Sequence, residues 1–297
     1  MRLALGGLPS PLLIEPRVLA SGANGVWHDF ASVMPADEAG AVELPQALAY
    51  LAGLGAQSRA RIERTLDERT DGRTPASLRK PIAPDKKLLL TEGSIALARS
   101  NDQRPAGMVV GFSKFATSFA DPGAMIRLPD PTARYDVEAA LVAVLGRGGN
   151  RLSATAAARA VVGWTLLAEI THRDMFETEA RTNNSLYAKN CLGLSPLGPA
   201  IWIAGADALD PATEITLTIN GIERQRFAVS DFAHGPADTV KAWSRLVAEP
   251  GDMVAWGAAI ARPRPGNAVD SPIAIAPGDR IEVACAPIGV LTASIAG

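Results

Sequence analysis

The run Glu214–Phe227, EITLTINGIERQRF, constrains the fold most. Its first six residues alternate apolar and polar, the period-two pattern of a strand with one buried face. Asn220-Gly221 follows, a dipeptide suited to a two-residue hairpin turn, and Ile222–Phe227 reads as the return strand. Two further turns, Pro250-Gly251-Asp252 and Pro277-Gly278-Asp279, precede strands expected at Met253–Gly257 and Arg280–Ala284. Pro followed by Gly fits the two central positions of a type II turn. Other expected strands are Lys87–Leu90, Met108–Phe112, Ala124–Leu128, Glu138–Gly146, Ala200–Ala204 and Gly289–Ile295. Helices are expected at Ser153–Val162, with Ser153 as N-cap, and at Ala237–Val247. Many strands with few helices point to an α+β, mainly β fold rather than alternating βαβ units.

Residues 1–84 read differently and form an expected small N-terminal domain of loops and helices, followed by a domain over 85–297. Gly6, Gly7, Pro9, Pro11 and Pro16 punctuate a loop-like opening. Leu48, Leu51, Leu54, Ile62 and Leu66 recur at helical spacing between Leu44 and about Glu68, and Gly53 and Gly55 divide that stretch into two helices. Pro81 and Pro84 mark the boundary.

Composition narrows the function classes. The 29 Lys and Arg against 31 Asp and Glu exclude a nucleic-acid binder driven by bulk charge. No apolar run reaches the roughly 18–20 residues of a membrane span, and the N-terminus reads as mature protein rather than a signal peptide. Cys191 and Cys285 are too few for a disulfide framework and read as thiols in a reducing cytoplasm. These exclusions leave no strong partner signal in the composition; the expected partner, a small-molecule substrate, is implied by a sequence resemblance.

Several segments, in order and at consistent spacing, carry a family resemblance. Tyr135–Gly146, YDVEAALVAVLG, resembles a family strand that reads like YEAELAVVIG. Val161–Asp174, VVGWTLLAEITHRD, resembles GYTVANDVSARD. Lys189 followed by Ser195–Pro199, SPLGP, is similar to GKSFDTFAPLGP, and ITLTINGIERQ to the hairpin LRVNGEVRQ. Upstream, GFSKFATSFADPGAMIRLP resembles FLKPPSALVGPGDPIVLP. Over about 85–297 the chain thus resembles the fumarylacetoacetate hydrolase family. The resemblance implies a rolled, mixed β-sandwich, a preceding small helical domain, often a homodimer, and enzymes that act on 2-oxo acids or β-diketones. It also implies Mg²⁺ or Mn²⁺, a hard cation that takes oxygen ligands and stabilises enolate charge.

The site residues implied by the resemblance depart from the family pattern. The family carries two glutamates two residues apart on one strand; here they are Glu138 and Ala140. A third carboxylate falls at Glu169, and Glu92 lies near a further ligand position, so Glu138, Glu169 and Glu92 are the candidate metal ligands. Equally, the metal is lost and these acids pair with Arg99, Lys114, Arg173 or Lys189. The family's water-activating His and Glu correspond to Arg99 and Asp102, and an arginine that stays protonated cannot act as a general base. Arg99 can grip a carboxylate. The resemblance implies that Lys189 supports an oxyanion, with Lys189, Arg99, Asp102 and Glu169 as catalytic candidates. Lys114, Arg173, Gln225 and His172 are candidate substrate-binding residues, though His172 also reads as a hydrogen-bonded structural residue. Ala258 replaces an expected threonine.

Three readings follow. The first is an enzyme that cleaves a C–C bond of a small oxo acid or β-diketone by hydrolysis or a related lyase or isomerase step. The second is a metal-independent decarboxylase, hydratase or tautomerase on the same fold. The third is a non-catalytic ligand-binding homologue.

Overall fold

The structure is a computed structural model that describes residues 1–7, 17–34, 42–72, 75, 77–91, 109–182, 184–246, 248–257 and 273–297. The N-terminal part holds β1 (Arg2–Gly7), β2 (Arg17–Ser21), β3 (Trp27–Asp29), α1 (Leu44–Gly53), α2 (Ala56–Glu68) and β4 (Ser77–Arg79). Then come β5 (Leu88–Thr91), β6 (Gly111–Lys114), β7 (Phe119–Ala120), β8 (Met125–Ile126), β9 (Tyr135–Leu145), α3 (Ala154–Ala160) and β10 (Val161–His172). Two short helices, α4 (Arg173–Glu179) and α5 (Leu186–Asn190), lead to β11 (Ser195–Ile203), β12 (Glu214–Ile219) and β13 (Ile222–Ala228). The chain closes with α6 (Pro236–Trp243), β14 (Met253–Gly257), β15 (Ala274–Ile275), β16 (Arg280–Cys285) and β17 (Gly289–Ile295).

Among the described residues the strands form two sheets. The larger runs β3-β2-β1-β11-β10-β9-β14-β5-β6, with β4 on β1, β7 on β11 and β15 on β9. The smaller runs β13-β12-β16-β17-β8. Pairing is antiparallel except at β14–β5, β11–β7 and β17–β8, so both sheets are mixed. The fold is α+β and mainly β, as the sequence implies. Apolar side chains from both sheets, among them Leu141, Trp164, Leu217, Val283 and Leu291, fill the space between them. Leu48, Leu51 and Leu66 of the two N-terminal helices cover the other face of the large sheet, over Val142, Leu167 and Ala255. β9 and β10 are therefore buried on both faces.

The turns behave as their residues dictate. Asn220 and Gly221 both adopt positive φ, 53° and 76°, as a type I′ hairpin turn requires. Gly251 and Gly278, at φ 89° and 91°, supply the left-handed position of the two Pro-Gly turns. In each the following aspartate accepts a hydrogen bond from the backbone three residues earlier: Asp252 from Glu249 and Asp279 from Ala276, both at 2.8 Å.

Three expectations need correction. The opening is not simply loop-like, because Gly6 and Gly7 end β1, which pairs with β11 and extends the large sheet. The helix expected to reach Val162 ends at Ala160, and Val161 already belongs to β10. β10 itself was not among the expected strands, since an unbroken apolar run buried on both faces shows no alternation. No helix among the described residues is long and apolar enough to cross a membrane.

The large sheet curls into a roll. In a flat sheet β6 and β10, four strand spacings apart, would be separated by roughly 19 Å. Instead Lys114, at the end of β6, reaches Glu169 of β10 at 3.0 Å. Helix α5 closes the gap: the Asn190 side chain accepts from the Phe115 amide at 2.7 Å and donates to the Ser113 carbonyl at 3.2 Å.

Candidate active site

Glu138 of β9 lies directly opposite Glu169 of β10 in the antiparallel ladder, so both side chains leave the same face. Thr171, two residues beyond Glu169, shares that face. Two carboxylates this close repel unless a cation separates them. The cation is Lys189, whose Nζ donates to Glu138 Oε1 at 3.2 Å, Glu169 Oε2 at 3.0 Å and Thr171 Oγ1 at 2.8 Å. These three bonds use all its donors. Lys114 Nζ donates to the second oxygen of Glu169 and to the carbonyl oxygen of Lys189. The Phe112 and Phe176 rings lie 5.4 and 5.6 Å from Lys189 Nζ, and Phe112 also lies 5.9 Å from Lys114 Nζ. Aromatic faces attract both ammoniums.

The short helix α5 presents Lys189, and its first amides are held by a buried acid. Glu179 accepts from Tyr187 N at 2.9 Å and Ala188 N at 2.8 Å. The site is thus assembled from β6, β9, β10 and α5, four elements distant in sequence.

Burial and charge set the protonation of the group. Desolvation pushes the Glu138 carboxyl up to about 8, and neighbouring Glu169 adds to the shift while Lys189 opposes it. Glu169 is also desolvated, but the Lys189 and Lys114 ammoniums outweigh burial and hold it well below the usual carboxylate range. Burial disfavours the charged form of Lys189, yet Glu169 and Glu138 raise its pKa overall. Lys114 is depressed, by burial first and by the like charge of Lys189 as well as it. Around neutral pH the group is therefore a neutral Glu138 beside an ionised Glu169 and a charged Lys189. Glu138 retains 13% side-chain exposure, against none for Glu169 and Lys114. Glu138 and Lys189 are thus the members of the group that keep some solvent exposure.

The other expected residues are placed as follows. Arg173 spends its fork on Asp136, with Nε to Oδ1 at 3.2 Å and Nη2 to Oδ2, and stacks over Phe176. Gln225 accepts from the Ala139 amide at 2.8 Å and ties β13 to β9. His172 caps α4 by accepting from Met175 N at 3.3 Å and packs on Tyr135 with ring centroids 4.7 Å apart. Glu92, Arg99, Asp102 and Ala258 lie outside the described residues. Sequence reasoning did not single out Thr171, Asp136, Phe112, Phe176 or Glu179. Of these, Thr171 had a legible signal: on a strand it must share the face of Glu169.

The described donors do not by themselves fit a divalent cation. Ala140, wholly buried between Leu167 and Gly257 in the two ladders, supplies no ligand. Both Glu169 oxygens already accept from ammoniums, and Lys189 supplies positive charge between the two carboxylates. No group of three His, Cys, Asp or Glu suited to a metal occurs among the described residues.

Comparisons with known proteins bear on this arrangement. The chain is 27% identical over 165 residues to the oxaloacetate tautomerase YisK of Bacillus subtilis, a match covering 55% of this chain and 53% of that protein. Its fold is similar to that of fumarylacetoacetate hydrolase from psychrophilic Exiguobacterium antarcticum, with TM-score 0.74, 21% identity, and 100% and 99% of the two chains covered. It is also similar to maleylpyruvate hydrolase from Sphingobium sp. SYK-6 in complex with manganese(II) and pyruvate, with TM-score 0.69, 20% identity, and 100% and 99% covered. Residues 92–296, more than half of the chain, match the family described as fumarylacetoacetate (FAA) hydrolase C-terminal. The chain belongs to the fumarylacetoacetate hydrolase family.

Proposed function

We propose that this chain is an enzyme that moves a proton between oxygen and carbon of a small 2-oxo acid, interconverting its enol and keto forms. The observation that carries the reading is the Lys189 ammonium held between Glu138 and Glu169, with Glu138 the ligand-facing carboxyl. Two carboxyls whose pKa values are driven apart suit acid–base work, because one holds a proton that the other cannot. The oxaloacetate tautomerase YisK, a relative over half its own length, supports the same chemistry.

In the proposed step the enol oxygen at C2 accepts a hydrogen bond from Lys189 Nζ, which stabilises the negative charge that appears there as the enol proton leaves. Glu138 delivers its proton to C3. The carbon–carbon π pair becomes the new C–H bond, the oxygen lone pair forms the carbonyl, and the enol proton leaves to water. Glu138 regains its proton from solvent. Glu169 stays ionised and fixes Lys189 and Lys114. Thr171 holds the third donor of Lys189, so the ammonium shifts towards substrate by exchanging one partner.

C–C bond cleavage by hydrolysis has weaker support in this chain. It needs a base to activate water, and by the sequence resemblance Arg99, which stays protonated, corresponds to the family's histidine. A relative's structure holds manganese, but with the described donor set no step here is routed through a metal. A homodimer is part of the same reading, tested by sedimentation that returns twice 31.0 kDa.

The test is the decay of the oxaloacetate enol, followed by ultraviolet absorption, with and without chelator. The reading expects catalysed ketonisation that chelation leaves intact and that Lys189→Met abolishes. Formation of cleavage products without catalysed enol decay would overturn it.

A further inference from the structure

A cationic cleft lies at the far end of β9 from the Glu138 group. Glu138 and Arg147 are nine residues apart along one extended chain, roughly 30 Å at about 3.3 Å per residue. The cleft has a volume of about 480 Å³ and is lined by Arg59 of α2, Arg147 just beyond β9, and Arg159 in the last turn of α3. Asp207 is the single acid in its wall, so the lining carries two net positive charges (three Arg less one Asp). Leu54, Val161 and Val162 give it an apolar floor.

Among the described residues none of the three guanidiniums forms an ion pair. Three like charges around one cleft repel, and among the described residues Asp207 is the one acid in the lining to set against them. Arg147 is also fixed in orientation. Its Nε and Nη2 both donate to the Ala52 carbonyl, at 3.2 and 2.6 Å, and Nη1 has no partner among the described residues. The walls are held as firmly. A Cβ on Gly146 would stand 2.7 Å from the Leu48 carbonyl oxygen, so glycine lets the end of β9 meet α1. Trp164 Nε1 donates to the Gly205 carbonyl at 3.0 Å and anchors the turn that carries Asp207.

We propose that this cleft binds a small organic dianion with an apolar body, two carboxylates meeting the arginines and the hydrocarbon lying on the floor. Guanidinium forks match carboxylates in pairs, and the volume lies in the range of small-molecule sites. The apolar floor favours such a ligand over a bare inorganic anion.

The probe is benzene-1,3-dicarboxylate, titrated calorimetrically into the full chain, with benzoate and sulfate as comparisons. The proposal expects saturable one-site binding that weakens as ionic strength rises, and weaker binding of both comparisons. Arg59→Ala with Arg159→Ala, whose side chains make no hydrogen bond or ion pair among the described residues, should weaken it by roughly tenfold or more with the melting temperature unchanged. Lys189→Met should leave it intact. Absence of saturable binding overturns the proposal, as would an assembly of two chains that covers the cleft. Binding lost in Lys189→Met but kept in the arginine variant overturns it too, since the probe would then occupy the candidate active site. The outcome is independent of the tautomerase reading, because no turnover is measured.

Discussion

Glu138→Gln separates the chemistry of the site from its contribution to stability. In the folded chain the Glu138 carboxyl titrates near 8, and in the unfolded chain near its ordinary 4.5. Folding therefore binds a proton across that interval, and the stability associated with it is complete below about 4.5 and lost as pH rises towards 8. The interval, at about 1.4 kcal/mol for each pH unit, amounts to roughly 5 kcal/mol as an upper bound. Glutamine reproduces the protonated acid, since its carbonyl accepts from Lys189 and its amide donates towards Glu169. The variant should match the wild type near pH 5 and gain on it progressively to pH 8, reaching a few kcal/mol. Urea denaturation at each pH, read as the free-energy difference between the two proteins, measures this. Catalysed proton transfer should fall at least about 100-fold at the same time. Parallel stability curves from pH 5 to pH 8 would refute the reasoning, because Glu138 would then be titrating as an ordinary surface acid.

Lys189→Met leaves Glu138 and Glu169 facing each other with only Lys114 nearby, and should cost about 3–5 kcal/mol. Denaturation at neutral pH tests this, and the loss should grow above about pH 8, where Glu138 ionises in the wild type but stays protonated in the variant, which lacks the cation that opposes its upward shift. Wild-type turnover should decline above about pH 8, where Glu138 can no longer deliver a proton, as a pH–rate profile will show. Gly146→Ala forces its Cβ to 2.7 Å from the Leu48 carbonyl oxygen and should destabilise by about 1–3 kcal/mol as overpacking, measured by thermal unfolding.

Much of the smaller sheet was legible because its strands keep one face apolar. Glu214–Ile219 and Gly289–Ile295 coincide with β12 and β17, and the Asn-Gly and Pro-Gly dipeptides fix backbone positions that other residues strain to adopt. The large sheet was harder. β10 is apolar on both faces, so periodicity is silent, and only the resemblance of its sequence marked it. β1, reading RLALGG, has glycines where a strand signal is expected. The short helices α4 and α5 are held by side chains such as His172 and Glu179, which a periodicity argument does not weigh.

The site divides in the same way. Glu138, Glu169, Lys114 and Lys189 were each singled out, and the structure brings all four into one hydrogen-bonded group. What sequence could not supply is the pairing. That Lys114 serves Glu169 and the Lys189 carbonyl, while Arg173 serves Asp136, depends on the roll of the sheet and on where α5 sits. The near balance of charges in the composition has its counterpart here, in a site whose acids and bases neutralise each other.

The central claim is that Glu138 carries a proton to and from carbon beside Lys189. Deuterium uptake at C3 of a 2-oxo acid in D₂O, followed by proton NMR, measures that transfer without requiring net turnover. The account predicts catalysed exchange by the wild type, and none above background in Glu138→Gln or Lys189→Met, with the first of these variants folded at least as stably as the wild type. Exchange undiminished in Glu138→Gln would contradict it.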